Sequence, residues 1–260
     1  MRNATVRVAA AADLHCRVDA PGRIRRLLGP AADEADVLAL PGDLTDHGLP
    51  EEARVLADDL AAIEIPKVAV LGNHDHESGK AEEVAHILST HAGVHLLNGG
   101  TWIFDKRLGF AGTKGFAGGF GDCALQAWGE ETLKRFVYEV IEESMKLETA
   151  LAKLEALGLH TKIVLTHYAP VHATLVGEKV ELFPFLGSSR LADAIDRQTV
   201  AAVFHGHAHH GSPRGATVGG APVFNVAMPL LRAKLDRRYV IVEVEAMRPG
   251  EASHAQEQPM

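Results

Sequence analysis

A Gly-Asn-His-Asp sequence occupies residues 72–75, directly after a short apolar segment at residues 67–71. An asparagine offers a neutral oxygen ligand, a histidine offers an imidazole, and an aspartate can orient that imidazole. Gly72 lets the backbone turn sharply, so the side chains of Asn73, His74 and Asp75 can converge on one point. The signal is weak by itself, because Asn and Asp at a turn often serve only the local backbone.

Four other short segments carry side chains of the same kinds, and each follows an apolar run that predicts a buried strand. These segments are Asp13-Leu14-His15, Gly42-Asp43, Thr166-His167 and Gly206-His207-Ala208-His209. In open α/β sheets, ligands bind beyond the carboxyl ends of the strands, so all of these segments can meet at one edge. Together they predict a metal centre.

The kinds of ligand indicate which metals the centre would bind. Carboxylates, imidazoles and one carboxamide, with no thiolate among them, suit Mn, Fe, Zn or Co better than Mg or Ca. There are more ligands than one ion can use, so we expect two divalent ions about 4 Å apart, bridged by a carboxylate such as Asp43. Each ion of such a pair lowers the pKa of a shared water, which is hydrolytic chemistry.

The elements that would position these side chains follow from the hydrophobic periodicity. Over the first ~90 residues, apolar strands alternate with amphipathic helices, which predicts an α/β fold with a parallel sheet. Later strands are short, and Asn98-Gly99-Gly100 predicts a β-hairpin. Strands expected at residues 216–218, 223–226 and 239–244 would close a second, antiparallel sheet.

A long helix is predicted at about residues 123–158, with its amphipathic part over residues 128–157. Its apolar residues recur at three- and four-residue spacings, and charged residues fill the other face. It either packs on its own sheet or pairs with the same helix of a second chain in a homodimer. We favour the first interpretation, because a single apolar seam is weak evidence for a coiled coil.

The composition limits the classes of function. A chain of 260 residues with 47% hydrophobic content suits one domain, expected over residues 1–246, with a polar, disordered tail at residues 247–260. The formal net charge of −8 argues against a nucleic-acid partner. There is no apolar run of about 18 residues, the length that a membrane span requires. With two cysteines and no signal-peptide pattern, we expect a cytoplasmic protein.

The order Asp-x-His, Gly-Asp, Gly-Asn-His-Asp, His and Gly-His-x-His resembles that of the calcineurin-like metallophosphoesterases. These motifs extend over most of the chain, from Asp13 to His209. The resemblance implies a four-layer α/β/β/α sandwich of two mixed β-sheets flanked by helices. It also implies a site with two ions, each held by three residues, and one shared ligand.

The resemblance further implies a role for each motif residue. The first ion would be held by Asp13, His15 and His209, the second by Asn73, His167 and His207, and Asp43 would bridge the two. His74 would lie beside the leaving group as a catalytic acid, and Asp75 would orient His74. Near the motifs, His47, His76 and His172 are expected to be ordinary surface or core histidines more often than pocket residues. Beside the ligands, His205 and His210 are expected to support them or to lie at the rim, and Asp46 is expected to cap a turn.

Within this family, the compact form with Asp-Leu-His near the N-terminus looks most like the bacterial cyclic-nucleotide-type phosphodiesterases. The resemblance therefore implies a metal-dependent enzyme that hydrolyses a small-molecule phosphodiester. The alternatives are a phosphomonoesterase or nucleotide pyrophosphatase with the same site, and a non-catalytic metal-binding scaffold. The intact Asn73-His74-Asp75 motif argues against the scaffold, since a protein that only binds a partner needs no leaving-group acid.

Overall fold

The computed structural model describes residues 4–246, so the predicted disordered tail at residues 247–260 lies outside the described residues. Two β-sheets stack face to face and helices cover both outer faces, as the four-layer α/β/β/α prediction required. None of the helices within residues 4–246 combines the length and the apolarity that crossing a lipid bilayer requires.

The first sheet carries three of the predicted ligand segments. Its strands are β1 (Ala4–Ala10), β2 (Val37–Pro41), β3 (Lys67–Val70), β4 (Val94–Leu96) and β11 (Val240–Ala246). The strand order is β11-β1-β2-β3-β4, in which β1 to β4 are parallel and β11 is antiparallel to β1. The three parallel strands β1, β2 and β3 thus end side by side at one edge.

The second sheet carries the remaining ligand segments. Its strands are β5 (Gly100–Phe104), β6 (Leu108–Thr113), β7 (Thr161–Thr166), β8 (Ala202–His205), β9 (Arg214–Ala216) and β10 (Pro222–Asn225). The strand order is β5-β6-β7-β8-β10-β9. The four inner strands are parallel, and β5 and β9 run antiparallel to their neighbours at the two edges.

Helices connect the strands and cover the sheets. They are α1 (Arg23–Leu28), α2 (Ala31–Glu34), α3 (Pro50–Ala61), α4 (Asn73–His76), α5 (Ala81–Ala92), α6 (Glu131–Ala156), α7 (Phe183–Leu186), α8 (Ser189–Asp196) and α9 (Met228–Leu235). The short helices α2 and α9 were not expected from the sequence. The predicted turn at residues 73–76 is one turn of helix.

The alternation of side chains along each strand builds the layers. Because successive residues of a strand point to opposite faces, one strand serves two layers of the core. In β1, Val8 lies between the sheets with Phe110 and Phe204, whereas Ala9 lies against the helical layer that contains Leu56 and Leu88. On the far side, the second sheet packs against α6 and α8.

Two predictions about strand pairing are wrong. The last strand, β11, joins the first sheet beside β1 and does not close the second sheet. Residues 98–100 do not form a hairpin, because β4 and β5 belong to different sheets and Gly99 crosses between them. The hairpin that does form joins β5 to β6 through residues 105–107, where Asp105 and Lys106 have left-handed φ angles of 47° and 59°.

The long helix begins later than predicted and packs within its own chain. It starts at Glu131, not near residue 123, because the backbone at Gly129 turns with φ +74° and interrupts the pattern. Its apolar stripe, including Leu147 and Leu151, is buried against the second sheet and α8. The apolar seam of this helix is therefore covered within one chain, so the seam gives no support to a homodimer. The homodimer stays a prediction.

Candidate metal centre

All the predicted ligand segments meet at one edge of the stacked sheets. Asp13 follows β1, Asp43 follows β2 and Asn73 follows β3 in the first sheet, while the other ligands follow β7 and β8 in the second. Since the two sheets stack with these strand ends together, the structure brings every predicted metal ligand into one cluster.

Asp13, His15 and His209 form the first group of ligands. One ligand atom from each lies within 4.8 Å of the other two. Asp13 Oδ1 is 2.9 Å from His209 Nε2, and both Asp13 oxygens accept the backbone N–H of His207. Both ring nitrogens of His15 are buried and have no hydrogen-bond partner within the described part of the chain. A buried imidazole whose nitrogens make no hydrogen bond suits the role of a metal ligand.

Asp43, His167 and His207 form the second group, again with one ligand atom of each within 4.8 Å of the others. The Nδ1–H of the fully buried His167 donates to the carbonyl oxygen of Pro41 over 3.1 Å. This bond leaves Nε2 of His167 facing the site, 2.9 Å from Asn73 Oδ1. Fixing one imidazole nitrogen on a carbonyl group is the usual way to aim the other nitrogen at a metal.

Asp43 lies between the two groups. Its Oδ1 is 3.3 Å from His167 Nε2, and its Oδ2 is 4.0 Å from His15 Nε2. The backbone N–H of His74 donates to Oδ1 over 2.9 Å. Burial alone would raise the pKa of this carboxyl, but the charge of His167 and these hydrogen bonds hold it well below the usual range. Asp43 is therefore an anion with one oxygen directed at each group.

The electrostatics of the imidazoles follow from the same contacts. Burial opposes protonation of His167, yet the adjacent Asp43 carboxylate outweighs it and raises the pKa of His167 to about 9. Burial, together with the charge of His167, lowers the pKa of His207 to about 3. A divalent cation suits this environment, in which the buried carboxylates of Asp13 and Asp43 face four imidazoles.

The backbone of the cluster is locally strained. Asp13, His15, Asp43 and His207 have φ angles of 56°, 42°, 48° and 69°, in the left-handed region that side chains with a Cβ rarely adopt. Each such residue costs on the order of 1–3 kcal/mol, and residues of this kind concentrate at functional sites. The strain therefore marks these strand ends as a binding site.

The motif glycines leave room for the ligands. A Cβ at Gly72 would overlap Asp43 Oδ1, and a Cβ at Gly206 would overlap Asp13 Oδ2. These glycines are required because a ligand from a neighbouring strand occupies the space that their side chains would need. The donor types, the unpaired His15 and these close approaches together fit divalent transition-metal ions.

The family model for calcineurin-like phosphoesterases matches residues 6–211, which include every motif that forms this cluster. The chain belongs to the calcineurin-like phosphoesterase family. The family indicates a hydrolase of phosphoric esters. No curated protein sequence matches the chain significantly.

Solved structures of similar fold include other phosphoesterases. The phosphopantetheinyl hydrolase of Mycobacterium tuberculosis has 15% identity and a TM-score of 0.61, with 99% of this chain and 100% of that chain covered. TT1561 of Thermus thermophilus has 18% identity and a TM-score of 0.58, over 93% and 99% of the two chains. A purple acid phosphatase of yellow lupin has 15% identity and a TM-score of 0.54, over 94% of this chain and 48% of that one. At these identities the comparisons show the fold alone.

In this calcineurin-like phosphoesterase, His74 lies beside the ligand cluster and is partly exposed. Its Nδ1 is 2.6 Å from the backbone oxygen of Asp46, to which it donates. The ring packs edge-on against His15, with 4.6 Å between the ring centroids. Because Nδ1 is occupied by a carbonyl group, Nε2 is the nitrogen left for a proton-transfer or ligand role.

Asp75 does not orient His74, contrary to the sequence prediction. Its buried carboxylate accepts the backbone N–H groups of Leu44, Thr45 and Gly72 and the hydroxyl of Thr45, over 2.6–3.1 Å. These bonds tie the loop after β2 to the loop after β3. Asp75 is therefore a positioning residue that fixes Asp43 and Asn73 relative to each other.

Removing the Asp75 carboxylate should destabilise the fold strongly. Asp75→Ala leaves three backbone donors and one hydroxyl buried without their acceptor, and each unmet buried group costs about 1–3 kcal/mol. We expect the free energy of unfolding, measured by urea titration of chelator-treated protein, to fall by several kcal/mol.

The matched control for this prediction is Asp58→Ala. Asp58 is an exposed carboxylate that contacts the exposed His91, and surface pairs of this kind contribute about 0–1 kcal/mol. Equal losses of stability in the two variants would contradict the role of Asp75.

Asp46 has a larger part in the site than the turn cap that its position in the sequence predicts. Its backbone oxygen accepts from His74 Nδ1, and its Oδ1 lies 3.3 Å from His15 Nδ1. The available signal was its position three residues after Asp43, on the same loop. Asp46 supports the two imidazoles that flank the first group of ligands.

Two other histidines near the motifs, His205 and His47, contact residues outside the ligand cluster. His205 is fully buried, with Nε2 2.8 Å from Thr174 Oγ1, so it supports the loop after β8 from behind. His47 contacts Glu52 over 3.3 Å. The glycine-rich loop at residues 115–121 is hydrogen-bonded through Gly118 and Gly119 to residues 184 and 187.

Proposed function

We propose that this protein is a dinuclear metal-dependent phosphodiesterase. The observation that carries the proposal is the position of Asp43, whose two oxygens face two separate groups of ligands. In this proposal Asp13, His15 and His209 hold one ion, Asn73, His167 and His207 hold the other, and Asp43 contributes to both. Such ions supply positive charge for the phosphoryl oxygens and lower the pKa of a water nucleophile.

His74 provides the acid in this proposal. The Asp46 carbonyl group holds Nδ1–H, so a proton carried on Nε2 can pass to the leaving oxygen as its bond to phosphorus breaks. The packing of the ring against His15 keeps the imidazole next to the first group of ligands. Asp43 accepts the backbone N–H of His74. This bond fixes the position of His74 and does not involve the His74 ring.

The preference for a diester rests on the charges around the site. A terminal phosphate carries one more negative charge than a diester, and a phosphomonoesterase commonly neutralises it with Arg or Lys. Arg17 already faces Asp19 and Asp46 over 3.3 and 3.8 Å. Lys114 donates to the oxygen of Gly115 and lies over two aromatic rings. Neither cation is aimed at the ligand cluster, which supports a diester substrate.

The two classes of ester can be compared directly. With the ions supplied as Mn²⁺, we expect kcat/KM for bis-p-nitrophenyl phosphate to exceed that for p-nitrophenyl phosphate by at least about tenfold, or ~1.4 kcal/mol. Both substrates release the same p-nitrophenolate, so the ratio reports the group that stays on phosphorus, which is an ester in one substrate and a charged oxygen in the other. A higher value on the monoester would replace this proposal with a phosphomonoesterase, and no turnover of either ester would favour the metal-binding scaffold.

A further inference from the structure

Glu143 is a charged residue on the buried, apolar face of α6. It lies three residues after Val140 and four before Leu147, so it shares with them the face that packs against the second sheet. Burial alone would raise the pKa of the Glu143 carboxyl, but hydrogen bonds from Lys146 and Thr113 hold it below its usual range. A buried carboxylate is costly unless its bonds compensate for the lost water, so the bonds of Glu143 show what it supports.

One oxygen of Glu143 holds the loop after β6. Its Oε2 accepts from the hydroxyl of Thr113 and, over 2.8 Å, from the backbone N–H of Gly115. These two residues lie on either side of Lys114, whose carbonyl oxygen accepts the backbone N–H of His167 over 2.9 Å. Glu143 therefore supports the backbone of a ligand in the second group, through the Lys114 carbonyl group.

Arg23, at the start of α1, has a corresponding place beside the first group. Its Nη1 donates to the carbonyl oxygens of Leu14 and His15, over 3.1 and 3.3 Å. These carbonyl groups belong to the two peptide units that flank the His15 Cα atom, where the backbone has its left-handed φ of 42°. Arg23 therefore supports the strained backbone of His15 without being a ligand.

The start of α1 is itself anchored in the fold. The buried carboxylate of Asp59, on α3, accepts the backbone N–H groups of Gly22 and Ile24 over 2.7 and 2.8 Å. Ile24 is fully buried in the same apolar cluster as Leu14. The Arg23 side chain thus extends to the loop after β1 from a backbone that is held in place.

The two supports come from opposite sides of the stacked sheets. Helix α1 belongs to the layer that covers the first sheet, and α6 belongs to the layer that covers the second. The hydrogen bonds of Arg23 reach the loop after β1, and those of Glu143 reach the loop after β6. Asp43, by contrast, faces both groups of ligands. A change at either support should therefore act on the nearer group.

We propose that Arg23 and Glu143 are positioning residues that set the affinities of the two ions separately. Arg23 acts on the ion of the first group through His15, and Glu143 acts on the ion of the second group through His167. This inference rests on the two-ion centre of the proposed function. Each residue fixes the backbone that carries one imidazole ligand, and the orientation of a ligand determines how tightly its ion is held.

The test is a calorimetric titration of Mn²⁺ into chelator-treated protein, which gives a dissociation constant for each ion. Groups that orient a ligand typically contribute about 10- to 100-fold in metal affinity, and we expect about tenfold here because these residues hold a backbone and not a ring. Glu143→Leu should raise one dissociation constant by this factor, and Arg23→Met should raise the other. Asn73→Ala and His209→Ala, which each remove a ligand from one group, identify the two ions.

Matched controls separate this role from a general loss of stability. Glu142→Leu and Arg26→Met make the same changes at exposed residues of α6 and α1, and both should leave the two constants unchanged. Glu143→Gln keeps an oxygen acceptor for Thr113 and Gly115, so it should restore most of the affinity. A merely structural residue would weaken both ions together. Equal shifts in the two constants, or no shift in either, would overturn the proposal.

A measurement without metal keeps the test decisive if Glu143→Leu does not fold or if only one ion binds. Thr113→Val removes one of the two bonds that hold the peptide units around Lys114. The exchange of the His167 amide hydrogen is then followed by NMR in chelator-treated protein. This hydrogen should exchange faster in Thr113→Val than in the wild type, and unchanged exchange would contradict the role of Glu143.

These measurements also separate the inference from the proposed function, since none of them needs turnover. Separate weakening of the two ions, in a protein that hydrolyses no ester, would support the inference and refute the phosphodiesterase. Hydrolysis of diesters by the wild type, with both variants weakening the same ion, would support the phosphodiesterase and overturn the inference.

Discussion

Asp43→Asn should lower the metal content to one ion per chain or fewer and remove nearly all of the activity. The amide keeps the shape of the side chain but loses the negative charge, and it places a donor where one of the two ligand oxygens was. Loss of a partner that only orients a ligand typically costs about 10- to 100-fold in metal affinity or activity. We expect a larger loss here, because Asp43 faces both groups of ligands. Metal content measured by elemental analysis should fall from about two ions per chain to one or fewer.

The control for this experiment is Asp122→Asn, which makes the same chemical change at an exposed carboxylate far from the motifs. It should bind both ions. One ion or fewer in fully active wild-type protein would contradict the dinuclear centre directly. Retention of two ions in Asp43→Asn would show that Asp43 does not bridge them.

His74→Ala should retain the metals and lose activity in a way that depends on the leaving group. General acid catalysis contributes roughly 10²–10⁴-fold, and it matters most when the leaving alkoxide is poor. We therefore expect a loss in kcat of that size on alkyl or nucleoside esters, and a much smaller loss on p-nitrophenyl esters, whose leaving group needs no proton. The comparison is made on one enzyme preparation with both classes of diester.

His86→Ala, at an exposed histidine of α5, serves as the control variant. If His74→Ala loses an ion and its activity falls equally on both classes of ester, His74 is a metal ligand. The structure leaves a reason to test this, since His15, Asp46 and His74 also bring ligand atoms within 4.8 Å of one another.

The residues of the candidate metal centre can be selected from the sequence because their signals are local. Each is a polar residue directly after a run of buried apolar residues, and parallel strand ends necessarily meet at one edge. Pairing of distant strands has no such signal. Nothing in residues 240–246 states that β11 lies beside β1, and Asn98-Gly99 resembles a hairpin turn although the chain crosses there between sheets.

The separate roles of the neighbouring residues His74 and Asp75 could not be predicted from the sequence either. The residues from Asn73 to His76 form a turn of helix, so successive side chains point in different directions. His74 therefore faces His15 and the Asp46 carbonyl group, while Asp75 points into the protein towards Thr45. Spacing alone indicated that Asp75 and His74 were partners, and only the geometry of the turn separates them.

The position of β11 has a consequence for how the protein is made. β1 carries the first ligand segment but is covered on one edge by a strand about 230 residues further along the chain. At synthesis rates of about 5–20 residues per second, that edge stays open for roughly 10–50 s while the rest of the chain emerges. A nascent chain thus presents an unpaired, apolar strand edge for most of its synthesis. Until β11 is paired with β1, this edge is open to aggregation and to capture by a chaperone.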